Sequence, residues 1–527
     1  MKIQTQWKLV WLCAAAALVA CAHEKMSQAK QEQPAAQPAP VAQPTPAAVP
    51  ASLKTPAEPS KSEGVITITT SSPEAAAAYV EAVDWLLAGH QDKGLVLLRK
   101  ALQLDPKLLL VQAMLYYNTP GSEAMQKVDE AAQASASLPE AERTEIEAID
   151  ANKHGDYEKA RELELKLLSL APRDWRAHAN VGATAFYYGH RAEEAAGHLR
   201  QAASLNPKAI SPWSILGAIA DEQGNKAEAV EARRKVAEMR PDDPAAQADY
   251  SYALLSAGKL DEAERVARKA AAFPNADAKP LAALANVEFY RSQFAQGREN
   301  VTKARALSTD ENERFGLDRF ALFTHVAEGK YDAALQAASA LENEARGAKN
   351  PNTVVIAMMD RAFVAALLGK HADGQKYATE AWARSKSEPL SGTGRKDLQR
   401  TILVARMWTQ ALGKKTADAE KTLALMEKDA GDSPNDANVQ SAAAWGRGVL
   451  KLGSGDAKGA AQEMSKCIAS DDLCHFHLVL AQEKAGDKAA AQATRATLLS
   501  QQRTQNSFYL VLRQQLLKNV TPGVALN

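Results

Sequence analysis

Aromatic residues make up only 6% of this 527-residue chain, and neither sign of charge is in excess, with 63 Lys+Arg against 63 Asp+Glu. Strands draw on β-branched and aromatic side chains, so this scarcity argues against sheet. A balanced chain lacks the basic footprint that nucleic acid requires, so no nucleic-acid partner is expected. Catalytic signatures are missing too: no H-E-x-x-H, no Ser–His–Asp order and no paired-carboxylate motif occurs. "GTGRK" (392–396) and "GSGDAKG" (453–459) are glycine-rich, but neither has the phosphate-loop spacing G-x-x-x-x-G-K-[ST] and neither follows a strand. No enzyme activity, cofactor, metal or small-molecule substrate is therefore expected. What the chain does have is 46% hydrophobic residues, with alanine, leucine, glutamate and lysine abundant. That is helix-forming material, and the length suits several domains or one long repeat array.

The start, "MKIQTQWKLVWLCAAAALVAC", has Lys2 and Lys8 ahead of an apolar run from Leu9 to Ala20 and a small-residue approach to Cys21. This is the layout of a secretory signal, and the run is too short to span a bilayer comfortably. Leu18-Val19-Ala20-Cys21 resembles the lipobox of bacterial lipoproteins. The resemblance implies that residues 1–20 are removed, that Cys21 becomes the first mature residue, and that its lipid anchors the chain to a membrane. Ala22 stands where an aspartate would signal retention at the inner membrane, which implies an outer-membrane address facing the periplasm.

Residues 21–72 read as a tether. The stretch 24–62 is dominated by Pro, Ala and Gln and has almost no large apolar side chain, so it cannot bury enough surface to offset its chain entropy. Its roughly forty residues reach at most about 120 Å at ~3.1 Å per residue. Val65–Thr69 has strand-like composition and is expected to lie along the first helix pair. Ser72-Pro73-Glu74 then reads as a helix start, with a capping hydroxyl, proline in the first turn and an acid beside it.

From there a period emerges. Gly217 is followed after seven residues by Gly224, after five by Ala229, after seven by Val236 and after five by Pro241. The marks recur as Gly89, Gly94, Ala101, Pro106 and as Gly155, Ala160, Leu167, Pro172, with weaker copies beyond residue 258. A period near 34 signals helix pairs stacked into a solenoid. Gly224 is placed to end a first helix in a left-handed conformation; Pro241 stops the second. Gly217 and Ala229 leave room for a neighbouring helix. Residues 107–150 fit the period poorly but read as helices, with a loop at "NTPGS" and a start at "SLPEAERTEIEA". Residues 384–400 are expected to form a loop or joint between an N-terminal half, 73–383, and a C-terminal half, 401–520, followed by a tail, 521–527.

The best unit, 210–243, carries Trp213, Leu216, Gly217, Ala220, Gly224, Ala229, Val236 and Pro241. It resembles the tetratricopeptide repeat (TPR) family, and the resemblance covers roughly residues 75–520. It implies an all-α, right-handed solenoid of about ten helix pairs with a concave groove that takes a protein or peptide partner. In that family certain first-helix positions line the groove. Carried over, they place Phe186, Tyr187, Asp221, Glu222, Tyr252, Asn286, Phe289 and Tyr290 on the inner wall. The family's carboxylate clamp needs lysine where this chain has Ala282, so that clamp is not expected.

"CIASDDLCHFH" is the chain's one cysteine–histidine cluster. For Cys467 and Cys474 three readings stand open: a disulfide tying adjacent helices after export, buried thiols, or metal ligands with His475 and His477. The functional expectation is a lipid-anchored scaffold of the bacterial envelope that binds other proteins in assembly, secretion or pilus-type complexes. An envelope enzyme or glycan-binding protein with a site on the solenoid rim, and a periplasmic sensor, are the alternatives.

Overall fold

The computed structural model describes residues 64–517 except 190, 349, 388–391 and 502–506. The signal segment, Cys21, most of the tether and the tail 521–527 lie outside the described residues. Within them there are 25 α-helices and no strand. No helix among them is long and apolar enough to cross a membrane. The chain separates into two compact units at Met239/Arg240.

The first unit has five helix pairs. They are α1 (Pro73–Leu87) with α2 (Gln91–Leu104), α3 (Leu109–Tyr117) with α4 (Ser122–Ala134), α5 (Glu140–Lys153) with α6 (Tyr157–Leu170), α7 (Trp175–Tyr187) with α8 (Ala192–Leu205), and α9 (Ser211–Gln223) with α10 (Lys226–Met239). Their ends follow the local chemistry. Ser72 Oγ accepts the Ala75 N–H at 3.1 Å to open α1, with Pro73 in the first turn. Gly224 closes α9 at φ +71°, where a side chain would be strained. Gly217 has a different partner from the one its spacing suggests. A Cβ there would come within 2.9 Å of Arg233 Nε, so the glycine makes room for an arginine that lies across α9 from α10.

The second unit has seven pairs: α11 (Pro244–Ser256) with α12 (Leu260–Ala271), α13 (Ala278–Tyr290) with α14 (Phe294–Leu307), α15 (Glu311–Glu328) with α16 (Tyr331–Gly347), α17 (Pro351–Leu367) with α18 (His371–Ser387), α19 (Gly392–Leu412) with α20 (Thr416–Asp432), α21 (Ala437–Gly453) with α22 (Ala457–Met464), and α23 (Asp472–Lys484) with α24 (Lys488–Ser500). A lone helix, α25 (Ser507–Leu517), follows. Each unit is thus an all-α stack of helix pairs, as expected of a solenoid, with twelve pairs among the described residues instead of about ten. The expected loop at 384–400 is corrected: α18 runs to Ser387 and α19 begins at Gly392, so most of that stretch is helix. Polar "RKDLQR" conceals an amphipathic turn there, in which Leu398 is buried and Arg400 is drawn inward by Asp429. The segment 107–150 has its turn at Asn118–Gly121 and its helix start at Glu140, as expected.

In each unit a helix distant in sequence packs against some of the first helices. In the first unit, α1 packs against α7 and α9. Tyr79 donates to Glu145 Oε1 at 2.9 Å. Asp84 accepts the N–H groups of Ile210 and Ser211 at 2.9 and 2.8 Å, which caps the start of α9 from a distant helix. In the second unit, α25 packs against α15 and α23. Phe508 meets Phe323, Phe363 and Trp408 at centroid distances of 5.8, 5.5 and 5.8 Å. Tyr509 donates to Leu498 O at 2.6 Å, and Gln514 Nε2 donates to Ser292 Oγ at 2.8 Å. Tyr509, Leu510, Val511 and Leu512 are all fully buried.

Cys467 and Cys474 are joined by a disulfide that ties the turn after α22 to the first turn of α23. Of the three readings, this one holds, and both sulfurs are thereby taken.

Candidate functional site

The repeat register brings part of the expected inner wall together in the first unit. Phe186 and Tyr187 end α7, and Asp221 and Glu222 end α9. Arg233 reaches Asp221 at 3.5 Å and lies close enough to Tyr187 to act on its ionisation. Tyr187 is 51% exposed, Asp221 and Glu222 are exposed, and Phe186 is half-buried, tilted against Tyr187 at 5.0 Å. An exposed aromatic residue beside an ion pair is the kind of surface that protein interfaces use.

In the second unit the same register gives a different result. Tyr252 is half-buried and bonds with Asn286, while Asn286, Phe289 and Tyr290 are buried. Phe289 is packing material: a Cβ on Gly297 would sit 2.2 Å from its ring, and Phe320 lies 5.1 Å from it. Tyr290 lies under Arg513 of α25, at 5.4 Å from guanidinium to ring. These three positions are therefore corrected from groove wall to core, because α25 and the neighbouring pair cover the face on which they stand.

A cluster next to Tyr187 escaped the sequence reading. Tyr157, at the start of α6, stacks on Tyr188 with centroids 4.8 Å apart and planes 14° from parallel. Tyr188 accepts a hydrogen bond from the half-buried Tyr117, at the end of α3. Tyr157 and Tyr188 are 44% and 37% exposed. This stack forms an aromatic shelf where the ends of α3 and α7 meet the start of α6, and Phe186 and Tyr187 directly precede Tyr188 along the chain. The available signal was the doubled tyrosine that closes a first helix twice, at 116–117 and at 187–188.

Behind the shelf stands Glu164 of α6, 5% exposed. Thr184 and Asn152 donate to its Oε1 at 2.9 and 3.3 Å, while Oε2 has no hydrogen-bond partner. Burial pushes its carboxyl up to about 7, against the opposing hydrogen bonds and Arg161. A carboxyl raised in the fold adds stability that is complete below its unfolded value near 4.3 and is lost as pH rises through the folded value. Glu164→Gln should therefore melt like the parent at about pH 3.5 and exceed it by about 3 kcal/mol at pH 9, from a shift of about two to three units. Urea melts across that range test it; parallel pH profiles for the two proteins would refute the assignment.

Cys21, the remaining sequence-predicted site, lies outside the described residues. No family model matches the chain, and no curated protein matches it. Similar solved structures include a tetratricopeptide repeat protein from Parabacteroides merdae, at 14% identity over 47% of this chain and 98% of its own, with a TM-score of 0.31. YrrB, described as a TPR protein with an unusual peptide-binding site, is 17% identical over 37% of this chain and 97% of its own, with a TM-score of 0.29. PilF of Pseudomonas aeruginosa is 18% identical over 46% and 95%, with a TM-score of 0.29.

Proposed function

We propose that the protein is a scaffold of the bacterial cell envelope, held at the outer membrane by lipid on Cys21, that binds another protein through the shelf of Phe186, Tyr187, Tyr188 and Tyr157. The observation that carries this reading is the stacked, half-exposed tyrosine pair beside the open Tyr187. Tyrosine offers a large contact area with little rotamer entropy to lose and a hydroxyl for orientation, which is why it anchors protein interfaces. Arg233 and Asp221 supply a polar rim on one side.

The test is site-specific photo-crosslinking from position 187 in intact cells, compared with Tyr157→Ala/Tyr188→Ala. A small set of envelope proteins, lost in the double variant while its melting is unchanged, is expected. Equal recovery from both would refute the shelf. Cys21→Ser should move the protein from the membrane pellet to the soluble fraction; retention in the pellet would refute the lipid anchor.

A further inference from the structure

The end of the tether touches the first helix pair, through Ile68 and Thr70, but lies along more of the first unit than that pair. It runs extended past the starts of α7 and α5 and on to Asp105, beyond the end of α2. Arg173 N donates to Gly64 O at 2.8 Å. Ile66 N donates to Asp174 Oδ2 at 2.9 Å, and Arg176 Nη2 donates back to Ile66 O at 3.1 Å. Thr69 N donates to Glu142 at 3.1 Å, and the hydroxyls of Thr69 and Thr70 donate to Glu142 and Asp105. Side chains alternate, with Ile66 buried between exposed Val65 and exposed Thr67. Ile66 fits among Ala141, Leu167, Ala171 and Ala177, and Ile68 packs on the cluster around α1 and α3.

The groups that hold this segment are themselves buried: Glu142 is 1% exposed, Arg176 3% and Asp174 4%. Their bonds to Ile66 and the Thr69 N–H go to main chain, which reads an extended backbone whatever its side chains; the inward pockets read apolar residues at alternate positions. Nor does the resident segment satisfy the site. Arg176 Nη1, on the guanidinium that holds Ile66 O, and Glu145 Oε2 beside it have no hydrogen-bond partner. A buried donor or acceptor in that state costs about 1–3 kcal/mol.

We propose that this cleft is a binding site for an extended peptide with apolar, often β-branched, residues at alternate positions, filled in cis by Gly64–Thr70 and open to exchange with such a strand from a partner protein. Exchange also frees the end of the tether, adding about 20–25 Å of reach from seven residues. The site shares no residue with the tyrosine shelf, so the two readings stand or fall separately.

The test uses the full mature chain and a labelled peptide of residues 64–71. Ile66→Asp/Ile68→Asp in the chain should undock the resident segment while leaving Asp174, Arg176 and Glu142 intact. The peptide should then bind this variant roughly a hundredfold tighter than the parent, whose own segment competes at an effective concentration near millimolar. A peptide N-methylated at its Ile66 and Thr69 nitrogens should not bind. No binding to a variant that melts like the parent, equal binding to both chains, or full binding of the N-methylated peptide would each overturn the proposal. A concentration-dependent dimer built by exchanging this segment would overturn the partner assignment in favour of a second copy. Should the variant fail to fold, hydrogen exchange of the parent decides: Ile66 and Thr69 amides exchanging at least tenfold faster than those inside α5 and α7 support exchange of the segment, and equal protection overturns it.

Discussion

Arg319→Leu should destabilise the second unit by about 3–5 kcal/mol, the range found when one partner of a buried ion pair is removed. Arg319 of α15 grips Asp360 of α17 with two hydrogen bonds, Nε to Oδ2 at 2.5 Å and Nη2 to Oδ1 at 2.9 Å. Asp360 is 0% exposed and Arg319 8%, so neither charge has bulk water to return to in the fold. Burial raises the Asp360 carboxyl even with the guanidinium opposing it. Without the arginine the carboxyl rises further and must bind a proton to stay inside. A raised acid contributes stability at low pH that is lost as pH rises, so the variant should be least stable at alkaline pH and partly rescued by acid. Asp360→Leu added to Arg319→Leu should recover most of the loss, because two apolar groups of similar size replace the pair. Urea melts of the four proteins, compared as a double-mutant cycle, measure the coupling. Additive losses would mean that the two residues do not depend on each other.

What could be read from the sequence follows the strength of the period. First helices begin at Trp175, Ser211, Pro244, Ala278 and Glu311, about 34 residues apart, and the marks around Gly224 and Pro241 identify those pairs directly. The next begin at Pro351, Gly392 and Ala437, spaced 40 or more, because every helix from α15 to α21 has 17 residues or more. A fixed template slips there, and residues 392–400, polar and out of period, are helix. Register along a helix is a local property, and Tyr187, Asp221 and Glu222, expected on the inner wall, are exposed. Whether that face stays open is not local. Phe289 and Tyr290 occupy the same register, but Arg513 lies over Tyr290 and its Nη1 comes within 3.5 Å of the Tyr290 carbonyl from a sequence separation of 223 residues. No periodicity in α13 announces that contact. The stack of Tyr157 on Tyr188 depends likewise on where the ends of two helices meet.

Leu510→Asp should cost 4 kcal/mol or more, by ~2–5 for the lost leucine contacts and several more for a buried carboxyl without a partner. Leu510 is 0% exposed in the middle of α25, whereas Leu517 at its end is 49% exposed, so Leu517→Asp serves as a nearly neutral control on the same helix. The damage should read out as lost amide protection in α15, α17 and α19, whose Phe323, Phe363 and Trp408 surround Phe508. Unchanged protection there would mean that α25 does not close this face. The same packing bears on where a partner can bind. Tyr509, Leu510, Val511, Leu512 and Leu516 are all buried, and at about 2 kcal/mol for each side chain their removal costs on the order of 10 kcal/mol. A ligand that displaced α25 would spend free energy equivalent to a dissociation constant between micromolar and nanomolar before showing any affinity. The part of the second unit's first-helix face around Tyr290, Phe323, Phe363 and Trp408 is therefore interior, held by α25. In the first unit the resident strand inserts one large apolar side chain fully, Ile66, and leaves Arg176 Nη1 and Glu145 Oε2 unsatisfied. On the two proposals above, this difference in what must be displaced favours recognition at the first unit.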